Sequence, residues 1–247
     1  MQVTLVDYTE QAARLLVLAK STRLDMAAEL LQDVGYMDEA EVMEQLEYIA
    51  NTVPSSWEFV HYTFLIQDVS RAFTHQFVRT RTGSYAQQTL RLYNNVTTNG
   101  GDELVEKFIW PAKVTCNKNA KQLVKSALIN IGDTHEELLG MGIPPEDARS
   151  ILPTNFSTNI LASFNLRSFA QLVQSRSGGR TQSEYRDVVQ GMVEAVLKVH
   201  PWVQQFIFKR DRDYFAEIEA FAEKEYGNDL KKKGELLKIV DKMRAEK

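Results

Sequence analysis

The chain has 247 residues, 44% of them hydrophobic and 25% charged, enough apolar material for one large domain or two small ones. A net charge of −4 excludes a protein built on non-specific attraction to nucleic acid or to a membrane surface. The single cysteine, Cys116, excludes an internal disulfide and fits a reducing compartment. Residues 1–7 read as a short strand rather than a signal peptide, and no apolar run approaches the ~20 residues of a membrane helix. The expectation is a cytoplasmic protein with no membrane anchor.

In chain order, residues 2–7 look extended, and residues 9–32 carry apolar groups at helical spacing, as two helices (Ala12, Leu15, Leu16, Leu18, then Met26, Leu30, Leu31). Asp38 is placed to cap a helix over about 39–51 whose one face holds Val42, Leu46 and Ile49. Residues 57–66 are aromatic and β-branched and predict a strand, after which Asp68 is the expected cap of a helix through Phe73 and Phe77. Residues 94–103 form a polar Gly/Asn-rich loop, and residues 108–114 predict a strand around Pro111. A helix follows over about 117–139, stopped by Gly140 and Gly142. Pro144 and Pro145 open a short helix that Pro153 ends, and residues 156–165 read as a strand. Helices are expected over about 167–176, 182–198, 202–225 and 228–245, the last two with a lysine-rich solvated surface. With no repeat and no clear linker, a single mixed α/β domain is the economical reading.

Several kinds of site are missing. No Gly-x-Gly-x-x-Gly follows a strand and no Walker A loop is present. The four histidines (His61, His75, His135, His200) show no ligand spacing with one another or with Cys116, so no metal is expected. Cys116, flanked by Thr115 and Asn117, reads as a small buried hydrophobe rather than a nucleophile.

What stands out is residues 79–91, Arg-Thr-Arg-Thr-Gly-Ser-Tyr-Ala-Gln-Gln-Thr-Leu-Arg. Arg79, Arg81 and Arg91 set three guanidinium groups among hydroxyls, the chemistry of planar, bidentate phosphate recognition. The plain alternative is a solvated charge cluster at a helix C-terminus, favoured by the helix dipole. Against it, the run holds no acidic partner, and Gln76 precedes it on the face of Arg79. If residues 85–91 are extended, Thr89 and Arg91 project to one side and grip one phosphate between a hydroxyl and a guanidinium.

The order Arg-x-Arg-x-x-Ser-x-x-x-x-(Ser/Thr)-x-Arg resembles the signature of the flavin-dependent thymidylate synthases. The likeness extends upstream to Trp57-Glu58-Phe59-Val60-His61-Tyr62-Thr63-Phe64 and to Gln76-Phe77-Val78-Arg79. Downstream it takes in Ala148-Arg149-Ser150-Ile151-Leu152-Pro153, Asn165-Leu166-Arg167-Ser168 with Gln174-Ser175-Arg176, then Gln182 and Glu184, and His200-Pro201-Trp202. It spans roughly residues 20–205. The chain departs from the pattern at Thr80, where family members have histidine, and at Thr89, a serine there. It also departs at Leu92, a tyrosine position followed here by Tyr93, and at Phe59, where a histidine usually follows the glutamate. His61 lies two residues on, on the same face of the expected strand. Gln87 replaces a frequent acid and Gln174 a frequent asparagine.

The resemblance implies one domain over residues 1–247, with an antiparallel-rich sheet flanked by helices and a helical C-terminal extension from about 203. It implies transfer of a one-carbon unit from methylenetetrahydrofolate to C5 of dUMP, with FAD reduced by NADPH and no cysteine adding to the base. The implied substrate contacts are Gln76, Arg79, Gln87, Thr89, Arg91 and Arg149. Arg176 lies at the pyrimidine edge, as the catalytic group that stabilises charge on the ring carbonyl. The implied flavin side is Arg79, Thr80, Arg81, Ser84, Arg167 and Gln174. A homotetramer with sites shared between subunits, and no stable nucleic-acid binding, belong to the same implication. The departures cluster near flavin and base, and leave open a dCMP C5 methyl- or hydroxymethyl-transferase, because a glutamine amide can turn to meet uracil or cytosine. A non-catalytic nucleotide-binding homologue is the third reading.

Overall fold

The computed structural model describes residues 1–22, 24, 26–90, 101–178, 181–208, 214–227 and 229–245. The chain divides into two compact units, Met1–Phe208 and Lys209–Lys247. In the first, a four-stranded antiparallel sheet of order β1-β2-β4-β3 carries the helices. Its strands are β1 (Gln2–Tyr8), β2 (His61–Ser70), β3 (Ser84–Gln87) and β4 (Ser157–Asn165).

Before β2 come α1 (Ala12–Lys20), α2 (Ala28–Tyr36) and α3 (Glu39–Ala50). The last is closed by a capping box in which the Asp38 carboxylate accepts from Glu41 N and the Glu41 carboxylate from Asp38 N. Residues 54–59 are a 3-10 turn, not the start of the expected strand, because Pro54 fixes its first φ and Trp57 packs edge-on against Phe206 at 5.0 Å. Phe59 is therefore outside the sheet and exposed, and the shared strand face expected for Phe59 and His61 does not exist.

Strand β2 buries Tyr62, Phe64 and Ile66 by strict alternation, then shifts register between Ile66 and Val69. Asp68 sits at that irregularity with φ 54°, its N–H donating to Asn159 Oδ1 at 3.0 Å. The shift turns both Val69 and Ser70 inward, so Ser70 rather than Asp68 caps α4 (Arg71–Phe77), its hydroxyl accepting from Phe73 N at 3.0 Å.

Helices α5 (Gly101–Glu106), α6 (Ala112–Thr115), α7 (Lys118–Gly140) and α8 (Pro145–Ala148) follow. The expected 94–103 loop lies outside the described residues up to 100, and its remainder is helical. A Cβ on Gly101 would stand 2.3 Å from Ile129 O, so only glycine lets α5 lie this close to α7. The strand expected over 108–114 reduces to one bridge, Phe108 to Phe156, since Pro111 opens a helical turn instead.

Helices α9 (Leu166–Arg176) and α10 (Ser183–Val199) cover the sheet, α9 capped by the Asn165 side chain. The long helix expected from 202 is broken into a 3-10 turn at Pro201–Val203 and α11 (Gln204–Ile207), both seated in the main core. The second unit is the helix pair α12 (Tyr214–Tyr226) and α13 (Leu230–Ala245), with Ala222 and Val240 buried and a Lys233–Glu223 ion pair. No helix among the described residues is long and apolar enough to cross a membrane.

Candidate functional site

Helix α4 is the spine of the site. Phe73 and Phe77 stack at 5.0 Å on its buried face, while Gln76 and, beyond its end, Arg79 stay exposed. The turns that follow are fixed by backbone bonds from Arg79 N to Gln76 O and from Thr80 N to Phe77 O. Tyr85 on β3 clamps them, its hydroxyl donating to Thr80 O at 2.7 Å and Phe77 O at 3.1 Å. Burial pushes that phenol above its ordinary pKa, the Tyr185 phenol adds to the rise, and the Thr80 hydrogen bond opposes it. A Cβ on Gly83 would meet Phe164 Cε1 at 2.4 Å, so glycine is what lets this loop return against β4. Arg79, Arg81 and Ser84 are thus presented to solvent from a rigid mount.

The first turn of α10 holds α4 from the other side. Glu184 accepts from both Ser70 N and Ser70 Oγ at 2.6 Å, and Gln76 Nε2 donates to Gln182 Oε1 at 2.9 Å. The two residues that resembled a Gln-x-Glu element therefore grip the two ends of one helix.

At the N-terminal end of α4 a pocket of about 410 Å³ is lined by Arg71, His75, Leu90, Glu146, Arg149 and neighbours in residues 150–154. Arg149 Nε donates to Glu146 O at 3.1 Å, which orients its guanidinium. Arg71 Nη1 is buried and has no hydrogen-bond partner among the described residues. Burial first, and the Arg149 charge second, push the Arg71 guanidinium below its ordinary pKa. Two like charges beside a cavity, one with an orphaned buried donor, form a seat for an anion.

Arg71 was not singled out from the sequence. Its signal was the Ser70 cap: a base at the first position of that helix, on the turn facing Arg149. Leu90 lines the pocket and Thr89 stands next to it, exposed; Arg91 lies outside the described residues.

Arg176 ends α9 with its guanidinium over the Tyr185 ring, 5.0 Å from the centroid, and its Nε buried without a partner among the described residues. Thr80, half-buried, has Oγ1 3.5 Å from the Tyr185 hydroxyl. The structure brings Thr80 and Arg176 to one aromatic side chain and gathers Gln76, Arg79 and Arg81 at one helix end. Arg167 pairs with Glu58 at the exposed start of α9.

Neither glutamine is free to turn. Thr74 Oγ1 donates to Arg71 O, so Gln87 must offer it the amide NH₂, at 3.0 Å. Gln174 Nε2 likewise donates to Ile207 O at 3.2 Å. Both therefore have their carbonyl oxygen left over.

The sequence profile of the family described as thymidylate synthase complementing protein matches residues 4–202. The flavin-dependent thymidylate synthase of Saccharolobus solfataricus is 33% identical over 202 residues, covering 81% of this chain and 74% of that protein. That of Geobacter sulfurreducens is 29% identical over 207 residues, 82% of this chain and 85% of its own length. Among solved structures, the flavin-dependent thymidylate synthase of Helicobacter pylori complexed with FAD and dUMP aligns with a TM-score of 0.66 at 20% identity, over 85% of this chain and 98% of that one. A UMP/dUMP methylase of Streptomyces cacaoi bound with 5-Br dUMP aligns at 0.63 and 20% identity, over 83% and 93%. These structures share the fold of this chain.

Proposed function

This chain belongs to the flavin-dependent thymidylate synthase family, and we propose on that footing that it transfers a one-carbon unit to C5 of dUMP, giving dTMP. The observation that carries the reading is the anion seat. A nucleotide 5′-phosphate supplies the negative charge that Arg71 and Arg149 call for, with Thr89 next in sequence to the lining residue Leu90; Arg91 is added on the sequence pattern alone. Each charged hydrogen bond of this kind contributes ~1.5–3 kcal/mol to binding.

Arg176 faces the pyrimidine edge. Its guanidinium, held on an aromatic ring with an open buried donor, stabilises charge developing on the ring carbonyl as C5 attacks the one-carbon unit. Gln76 and Arg79 orient the nucleotide beside the flavin. FAD fits the exposed guanidinium groups of Arg79 and Arg81 and the Ser84 hydroxyl, a donor set suited to a phosphate-bearing anion. Thr80, Arg167 and Gln174 complete that side, Gln174 through its remaining oxygen. When bound, FAD supplies the reducing equivalents of the transfer. Cys116 is exposed between α6 and α7, not buried as the sequence suggested, and is assigned no role as nucleophile.

The finer reading takes methylenetetrahydrofolate as the donor and NADPH as the reductant. It places the enzyme in the cytoplasm, as a homotetramer whose Arg149 and Arg176 act across an interface. Residues 1–247 act as one enzyme domain with a helical C-terminal extension.

A second reading, dCMP as substrate, is favoured by one observation: the pinned amides of Gln87 and Gln174 both leave an acceptor, which suits the cytosine amine. Uracil N3–H meets the same acceptor. Product mass analysis decides. Protein with FAD, NADPH and methylenetetrahydrofolate is given equimolar dUMP and dCMP. Conversion of dUMP to dTMP is expected. A methylated or hydroxymethylated dCMP selects the second reading, and no product despite bound flavin leaves a nucleotide-binding homologue.

A further inference from the structure

Tyr185 is fully buried near the start of α10, and its ring is fixed by two edge-to-face contacts, with Phe73 at 5.1 Å and Phe77 at 5.8 Å. One face of that immobile ring lies under the Arg176 guanidinium, and its hydroxyl lies 3.5 Å from Thr80 Oγ1. Arg176 makes no hydrogen bond among the described residues, so the ring is its principal anchor there. A guanidinium held by a π face rather than a carboxylate keeps its full charge and its N–H donors for another group. A carboxylate would orient it equally well but would neutralise it.

We infer that Tyr185 is a positioning residue that sets Arg176 against the Arg79-Thr80-Arg81 segment, and that Thr80 is small because the Tyr185 hydroxyl occupies the space beside it. The assignment of Arg176 to the base rests on the function proposed above; the positioning itself does not. Tyr185 acts through geometry alone. Its phenol transfers no proton and touches no substrate. Glu184, the preceding residue, locks the cap of α4 at the same time, so the turn that carries Tyr185 is fixed to the helix that leads into Arg79.

The test compares Tyr185→Phe with Tyr185→Leu, each alone and with Arg176→Ala. Tyr185→Phe keeps the ring and is expected to keep dUMP affinity and kcat within about threefold. Tyr185→Leu is expected to lower kcat by tenfold or more and to weaken dUMP. Added to Arg176→Ala it should cost nothing further, because the residue it served is gone. Leu46→Ala, buried in α3, is the packing control: it lowers Tm and leaves dUMP affinity unchanged. Multiplying losses in the double variant, or equal losses in Tyr185→Phe and Tyr185→Leu, would overturn the inference.

Crystal structures of the ligand-free wild type and Tyr185→Leu separate this from the functional reading. An Arg176 side chain displaced only in the variant supports the positioning role, even if neither dUMP nor dCMP binds. An Arg176 that stays in place without the ring refutes it.

Discussion

The Tyr62–His200 pair and the Arg71–Arg149 pair each hold polar groups at least partly away from water, and the fold treats them in opposite ways. Tyr62 OH and His200 Nδ1 meet at 2.9 Å, with the rings of Tyr8 and Trp202 packed around the imidazole. Burial raises the phenol pKa and lowers that of the imidazole, so both stay neutral and satisfy each other. Arg71 and Arg149 cannot do this. They carry the same charge, share a cavity, and leave a buried donor unmet. The closed pair serves stability. The open pair stores a demand for an anion, which is the signature of a binding site rather than of a core.

The largest effect should fall on the open side. Arg176→Ala is expected to lower kcat by about 10²–10³-fold, the scale of losing one stabilising donor at a developing charge. Far-UV circular dichroism should be unchanged, since Tyr185 keeps its ring contacts with Phe73 and Phe77 without the guanidinium. Near-normal turnover would remove Arg176 from the site and weaken the contrast.

A smaller effect tests the closed side. His135 and His200 are both held below their ordinary pKa of 6.5, in each case chiefly by burial, with a backbone hydrogen bond to Glu10 partly opposing at His200. The unfolded chain therefore binds more protons than the native one as pH falls below about 6.5, and stability must drop in that direction. Unfolding midpoints in urea at pH 7.5 and 5.5 should show the loss, and His200→Gln should flatten it. A midpoint that rises on acidification would contradict the neutral assignment.

The smallest effect belongs to a region outside both pairs. Asp38→Ala removes half of a capping box and should cost about 1 kcal/mol in denaturant unfolding, with kcat unaltered.

These differences track what the sequence made legible. Asp38 with Glu41, and the helix-period faces of α3 and α10, are local signals, and local physics decided them. The register shift in β2 is not local. Asp68 and Ser70 are equally good caps by composition, and only pairing with Asn159 on β4 puts Asp68 at positive φ and hands the cap to Ser70. The aromatic run at 57–66 looked like strand throughout because β-propensity does not register that Pro54 has already begun a turn.

At the candidate site, Arg79 and Arg81 stood out because their run holds no acid, and Arg149 because Ala148-Arg149-Ser150-Ile151-Leu152-Pro153 resembles a family element. Arg71 and Tyr185 did not, since one looks like a helix-end charge and the other like core. Their meaning lies in a cavity and in a cation resting on a ring, both made by residues far apart in the chain.

The most direct test of the open pair is a calorimetric titration of the wild type, Arg71→Gln and Arg149→Gln with dUMP and with deoxyuridine. If the two guanidinium groups seat the phosphate, the wild type prefers dUMP strongly. Each variant should then lose about tenfold or more of dUMP affinity while its weak binding of deoxyuridine is unchanged. A wild type that binds both ligands equally, or variants that keep the full preference for dUMP, would contradict the account.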